Sequence, residues 1–111
     1  MKNKAREFAK VNVLQVGAIT RGMKGEELAD IEDMVKEGVP AISEDGKSVM
    51  NSQLYREAML LAKRLNIPVL AHCEDIDMVK GGCMNEDEIS REFGLPGISN
   101  AVEDCIVARD I

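Results

Sequence analysis

The chain has 111 residues, of which 45% are hydrophobic and 31% charged, a composition typical of a soluble globular domain. Its formal net charge is −6, with the basic residues scattered among acidic ones; this argues against a nucleic-acid surface, because phosphate binding needs clustered Lys and Arg. No apolar run approaches the roughly 20 residues that span a bilayer, and no signal peptide is evident. We therefore predict a cytoplasmic protein with neither nucleic-acid nor membrane partners.

The chain contains three cysteines, Cys73, Cys83 and Cys105. Their odd number and the absence of a Cys-x-x-Cys spacing argue against both a disulfide framework and a zinc knuckle. Because a free cysteine usually behaves as a small buried hydrophobic residue, we expect reduced thiols that serve packing.

Three short apolar runs rich in β-branched residues occur at residues 11–19, 39–43 and 67–71, with starts 28 residues apart each time. The segments between them have the apolar spacing of amphipathic helices. This alternation of strand and helix is typical of parallel βαβ units. The sequence therefore predicts an α/β fold with three parallel strands and connecting helices.

Two amphipathic segments predict the connecting helices. The first spans residues 26–37, and Gly38 is placed to end it. The second spans residues 52–65, where Asn51 or Ser52 is the expected N-cap.

Beyond the third strand the pattern loosens, but two helix starts can be recognised. Asn85 with Glu88 has the form of a capping box, which predicts a short helix there. A last helix is expected from near Asn100 and is still running at Ile111.

Both ends of the chain have the appearance of cut elements. The last helix needs a further strand on which to pack, and Ala5, Phe8 and Ala9 look like the tail of a helix whose own strand is missing. We expect a single partial domain over residues 1–111, truncated at both ends.

Two polar residues follow the second and third predicted strands, namely Asp45 and His72. Parallel strands lie about 4.8 Å apart, so side chains that leave the same edge can share a ligand. A carboxylate beside an imidazole suits Zn²⁺ better than Ca²⁺ or Mg²⁺. On the residues alone, however, a turn role for Asp45 and a hydrogen-bonded rim role for His72 remain alternatives. Cys73 should face away from His72.

Four segments in register carry a family resemblance that covers essentially the whole chain. They are Val16-Gly17-Ala18-Ile19-Thr20, Ala41-Ile42-Ser43-Glu44-Asp45-Gly46, Pro68-Val69-Leu70-Ala71-His72-Cys73-Glu74-Asp75, and Asn100-Ala101-Val102-Glu103-Asp104 with Ala108-Arg109-Asp110. In these segments the sequence resembles dihydroorotases of the long bacterial type. The resemblance implies an amidohydrolase (β/α)₈ TIM barrel, of which this chain supplies the third to fifth strands.

By that resemblance Asp45 bridges two zinc ions and His72 binds the second of them. The family often has two aspartates before the glycine, whereas here Glu44 precedes Asp45. The spacing to His72 favours Asp45 as the ligand, and Glu44 is then a neighbour only. Glu103 also falls on a family motif, but a capping box with Asn100 accounts for it without function.

The resemblance implies an enzyme that interconverts dihydroorotate and N-carbamoyl-aspartate in pyrimidine synthesis. The family's His-x-His pair is absent from this chain, which has one histidine, so no complete catalytic set is expected and the chain alone should be inactive. Unpaired edges of a three-strand barrel slice also favour a homo-oligomer or aggregation.

Two alternatives remain open. A hydantoinase-like or allantoinase-like amidohydrolase fragment is the nearer one, although those relatives usually carry a lysine where Asp45 stands. The other is a non-catalytic α/β interaction module, which would bind no metal.

Overall fold

Three short parallel strands form the centre of the chain. The computed structural model describes residues 2–111. Strands β1 (Gly17–Ala18), β2 (Ile42–Ser43) and β3 (Val69–Leu70) make one sheet in the order β1-β2-β3. In the parallel register Gly17 pairs with Ile42, which pairs in turn with Val69. The predicted α/β class with three parallel strands is confirmed.

The strands are much shorter than the apolar runs that predicted them. Val11, Val13 and Leu14 belong to the first run but are largely exposed, and regular pairing begins only at Gly17. A strand is defined by bonds to a neighbour, whereas apolar content reports only a tendency to be buried. The predicted bounds of the first strand were therefore wrong at its start.

The helix between β2 and β3 matches its prediction. Helix α3 spans Ser52–Leu65, and the side chain of Asn51 accepts hydrogen bonds from the backbone N–H groups of Gln53 and Leu54, each at 3.1 Å. These bonds satisfy two of the amides that have no partner inside the helix. Asn51 is thus the N-cap.

The helix between β1 and β2 is shorter than predicted. Helix α2 spans Ile31–Lys36, and Gly38 follows it at φ 82°, in the left-handed region that glycine favours. Residues 26–30 were expected to be helical, but Leu28 forms an antiparallel bridge with Thr20 and the N–H of Ala29 donates to the carbonyl of Ile19 at 2.9 Å. A long-range backbone partner therefore overrides the helical pattern of these residues.

A second small sheet follows β3 and was not predicted. Strands β4 (Met84–Asn85) and β5 (Gly97–Ile98) pair in parallel around helix α5 (Glu88–Phe93), after the short helix α4 (Ile76–Val79). The two backbones approach so closely at Gly97 that an added Cβ would lie 2.6 Å from Cα of Glu86. Glycine is therefore required there for steric reasons.

Two predicted capping boxes do not form. Asn85 lies in β4, and the box that starts α5 is made by Asp87 and Ser90 instead. Helix α6 spans Ala101–Asp110, but Asn100 has helical dihedral angles and makes no side-chain cap. The first amide of α6 donates instead to the hydroxyl of Ser99 at 3.3 Å. Capping therefore does not explain Glu103.

The core lies between the three-stranded sheet and the helices α2 and α3. Its buried members are Ile19, Ile31, Ile42, Val49, Tyr55, Ala58 and Ala62. Helix α1 (Lys2–Phe8) precedes this unit, and within residues 2–111 no helix is both long and apolar enough to cross a bilayer. All three thiols are free, but Cys83 and Cys105 are exposed, so the predicted packing role was wrong for both.

Arg109 of helix α6 contacts two residues of the core. Its guanidinium carbon lies 4.8 Å from the centre of the Tyr55 ring, and its Nη1 donates to the carbonyl of Val49 at 2.7 Å. Its Nε donates to Asp110 at 2.7 Å. A cation over an aromatic face that also donates hydrogen bonds to a carboxylate and a carbonyl stabilises such a contact. Burial, and next the charge of Asp110, raise the pKa of Tyr55 to about 12.

We expect the phenol of Tyr55 to titrate near pH 12 in the folded chain. Folding raises this pKa from 10.0 to about 12, which corresponds to about 2–3 kcal/mol of the free energy of unfolding. This stabilisation is present in full below the unfolded pKa and is lost as the pH rises through the folded pKa. Tyr55 is the one tyrosine and the chain has no tryptophan, so ultraviolet absorbance of the phenolate reports it alone. Asp110→Asn should lower the pKa, and titration at the ordinary value would contradict the packing of α6.

Candidate metal centre at the carboxyl ends of the strands

An open cavity of about 700 Å³ lies where the three strands end. Its lining includes Gly17 of β1, Ser43 of β2 and Leu70 of β3, together with Asp45 and His72. Loops at this edge of a parallel sheet carry side chains on a fixed frame, and ligands commonly bind there. The cavity is therefore the candidate functional site of the chain.

Asp45 and His72 meet at the rim of this cavity, as their spacing predicted. Oδ1 of Asp45 lies 3.6 Å from Nδ1 of His72. The Asp45 side chain is 86% exposed and that of His72 is 36% exposed. An exposed pair of this kind contributes little to stability. Its two donor atoms are nevertheless close enough to share one small ion.

Glu74 completes the surroundings of the imidazole, and sequence reasoning had missed it. Its Oε2 lies 3.4 Å from Nε2 of His72, on the side of the ring opposite Asp45. A carboxylate at the second nitrogen is a common way to orient a histidine that binds through the first. The signal in the sequence was the His72-x-Glu74 spacing, which places both side chains on one side of an extended segment.

Cys73 does not join this group. Its side chain lies toward α6, where partial burial and the charges of Asp110 and Glu103 raise the pKa of the thiol. A raised pKa disfavours the thiolate that binds metal. This position agrees with the prediction that Cys73 faces away from His72.

The donor set fits part of a zinc site. An imidazole nitrogen and a carboxylate oxygen are both ligands that zinc accepts. In the part of the chain that the structure describes, however, no group of three or more His, Cys, Asp or Glu side chains is arranged to hold an ion. Zinc sites have at least three protein ligands, so Asp45 and His72 can supply only a share of one.

The backbone of Asp45 is held by the hydroxyl of Ser43, which also bonds to β3, and by a turn. The hydroxyl of Ser43 accepts from the N–H of Asp45 at 3.1 Å and donates to the carbonyl of Leu70 at 2.7 Å. Gly46 follows at φ 82°, and the N–H of Lys47 donates to the carbonyl of Glu44 at 2.9 Å to close a turn. The turn role and the proposed ligand role of Asp45 are thus compatible.

The comparison with known proteins identifies the family. The family model described as dihydro-orotase-like matches residues 1–111. The chain belongs to this dihydro-orotase-like family. The predicted resemblance is confirmed.

Curated relatives named dihydroorotase match almost the entire chain. That of Caldicellulosiruptor saccharolyticus is 49% identical over 111 residues, which are 100% of this chain and 26% of the relative. That of Acetivibrio thermocellus is 47% identical over 109 residues, 98% of this chain and 26% of the relative. That of Pelotomaculum thermopropionicum is 50% identical over 101 residues, 91% of this chain and 24% of the relative. The chain spans about a quarter of the length of the relatives it matches.

This dihydro-orotase-like chain uses Glu44 for structure, where the sequence had suggested a neighbour only. Glu44 is 3% exposed. Its Oε2 accepts from the N–H groups of Ile19 and Thr20, each at 3.1 Å, and its Oε1 accepts from the hydroxyl of Thr20. Bonds of N–H and O–H donors to a carboxylate are among the stronger ones in proteins. Glu44 therefore joins the end of β1 to the loop that carries Asp45.

Glu44→Gln should lower the free energy of unfolding by about 1–3 kcal/mol, because a neutral amide has a single accepting oxygen and cannot accept from both the two N–H groups and the Thr20 hydroxyl as the buried carboxylate does. Urea denaturation monitored by circular dichroism measures this change. Glu92→Gln, which makes the same substitution at an exposed position on α5, should change stability by less than about 0.5 kcal/mol. Equal effects of the two substitutions would contradict a structural role for the buried carboxylate.

Proposed function

We propose that this chain is a segment of a dihydroorotase, a zinc-dependent cyclic amide hydrolase that interconverts dihydroorotate and N-carbamoyl-aspartate in the cytoplasm during pyrimidine synthesis. The observation that carries the proposal is the 3.6 Å approach of Asp45 to His72 at the carboxyl edge of neighbouring parallel strands, in a chain that belongs to this family. The relatives that match the chain carry the name dihydroorotase, which favours this reading over a hydantoinase or an allantoinase.

The proposed architecture is part of a (β/α)₈ barrel. Strands β1, β2 and β3 pair in chain order, with α2 and α3 between them, as successive units of such a barrel do. A whole barrel needs about 250 residues. On this proposal the chain supplies three neighbouring strands and one wall of the active site, and the open edges of β1 and β3 favour self-association into a homo-oligomer.

In this site Asp45 and His72 hold zinc, and Glu74 orients the imidazole of His72. When bound, zinc supplies Lewis-acid chemistry for the hydrolysis of an amide. The chain's own contribution is positional, because Glu44 and Ser43 fix the backbone of Asp45 against both neighbouring strands. The rest of the ligand set and the substrate contacts come from other parts of the barrel.

The metal assignment is tested by substitution of the two ligands. In the 111-residue chain, where solvent must complete the coordination, titration with Co²⁺ followed by visible absorbance should show a weak site that Asp45→Ala and His72→Ala each weaken further, by at least about tenfold. Asp33→Ala removes an exposed carboxylate from α2 and serves as the control, with no change expected. Unchanged binding in both site variants would sink the assignment and favour a non-catalytic module.

The activity is tested in a hybrid enzyme. The matched quarter of the Caldicellulosiruptor saccharolyticus dihydroorotase is replaced by this chain, which is 49% identical to it. We expect the hybrid to hydrolyse dihydroorotate and the 111-residue chain alone to show no turnover. Asp45→Ala in the hybrid should lower turnover by at least about 100-fold without loss of the folded state. A folded hybrid without activity would contradict the proposed function.

A further inference from the structure

The hydroxyl of Ser48 is buried between two loops of the site. Ser48 is 8% exposed and follows β2 three residues after Asp45. Its Oγ donates to the carbonyl oxygen of His72 at 2.5 Å and accepts from the N–H of Glu74 at 3.1 Å. A serine hydroxyl has a single hydrogen to donate. In this structure Ser48 donates that hydrogen to the carbonyl of His72, whose imidazole faces Asp45.

These two bonds act on a stretch of backbone that lies beyond the sheet. Pairing of β3 with β2 ends at Leu70. The N–H of Asp75 donates to the carbonyl of Val102 at 3.0 Å. Between these two anchor points, Ser48 holds the chain on both sides of Cys73. It therefore restrains the backbone from which the side chains of His72 and Glu74 project.

The restraint has a direct consequence for the geometry of the imidazole. The ring of His72 lies between Asp45, at 3.6 Å from Nδ1, and Glu74, at 3.4 Å from Nε2. Both distances exceed those of good hydrogen bonds, so Asp45 and Glu74 orient the ring only weakly by themselves. Its direction depends on the backbone, and the backbone is held by Ser48.

We propose that Ser48 is a positioning residue that sets the imidazole of His72 for metal binding, which rests on the proposed function of the Asp45 and His72 pair. One short loop then supplies both the ligand Asp45 and the hydrogen bonds of Ser48 that position His72. The hydroxyl of Ser48 thus links the loop that carries Asp45 to the backbone that carries His72.

The chain contains a matched serine with which to separate positioning from stability. Ser90 is 2% exposed, and its hydroxyl donates to the carbonyl of Asp87 at 2.9 Å and accepts from the N–H of Asp87 at 3.0 Å. Like Ser48, Ser90 is buried and its hydroxyl donates one hydrogen bond to the backbone and accepts one from it, but Ser90 lies in α5, outside the cavity that Asp45 and His72 line. Ser90→Ala therefore costs stability without touching the site.

The test compares Ser48→Ala with Ser90→Ala in the full chain. Because His72 is the one histidine, its ring gives unique nuclear magnetic resonance signals that can be observed with and without Co²⁺. We expect both variants to lose comparable stability toward urea. Only Ser48→Ala should weaken Co²⁺ binding, by about tenfold or more, and shift or broaden the metal-free His72 ring signals. Ser48→Thr, which keeps the hydroxyl, should restore both readouts.

The outcomes separate this proposal from the one it rests on. If the unsubstituted chain binds no Co²⁺, these two ligands do not hold the ion without the rest of the site, and the metal-free His72 ring signals alone decide the role of Ser48. If Ser48→Ala does not fold, Ser48→Thr against Ser48→Val makes the same comparison, since these differ in the hydroxyl and not in shape. The proposal is overturned if Ser48→Ala leaves the ring signals and the Co²⁺ affinity as Ser90→Ala does.

Discussion

The parallel pairing of β2 with β3 is the constraint on which the site depends. Ser43 pairs with Leu70, and Asp45 and His72 each lie two residues beyond that pair. The carboxylate and the imidazole therefore leave the sheet at the same height and on the same side. Because side chains alternate across a strand, a shift of one residue in either strand would turn one of the two away from the other.

Polar groups at the strand ends convert that register into a defined loop geometry. Glu44 accepts hydrogen bonds from the residues that follow β1, and Ser43 joins the backbone of Asp45 to β3. Ser48 donates a hydrogen bond to the loop that follows β3. Side chains that accept and donate across strand ends replace the ladder bonds that stop there. The exposed pair of Asp45 and His72 contributes little to its own placement, so the buried neighbours determine it.

The polar groups that hold this site are buried, whereas the proposed ligands are exposed. Glu44 and Ser48 are both at least nine-tenths buried, while Asp45 points into an open cavity. A buried carboxylate is costly unless its hydrogen bonds are made, and here Ile19 and Thr20 make them. This division lets the loop remain rigid while its reactive groups stay accessible to a ligand.

Much of this could be predicted from the sequence because it rests on local or regular patterns. Helix α3 and its cap at Asn51 follow from apolar spacing and one side chain, and the positions of Asp45 and His72 just after neighbouring strands predicted that these side chains would meet. What depended on distant partners was not predictable. The sheet of β4 and β5 consists of two-residue strands with no periodicity, and α2 begins later than predicted because Leu28 forms a bridge to Thr20. The burial of Glu44 and the two bonds of Ser48 exist only once three strand ends meet, so the tertiary structure alone decided which residues hold the site and which are presented by it.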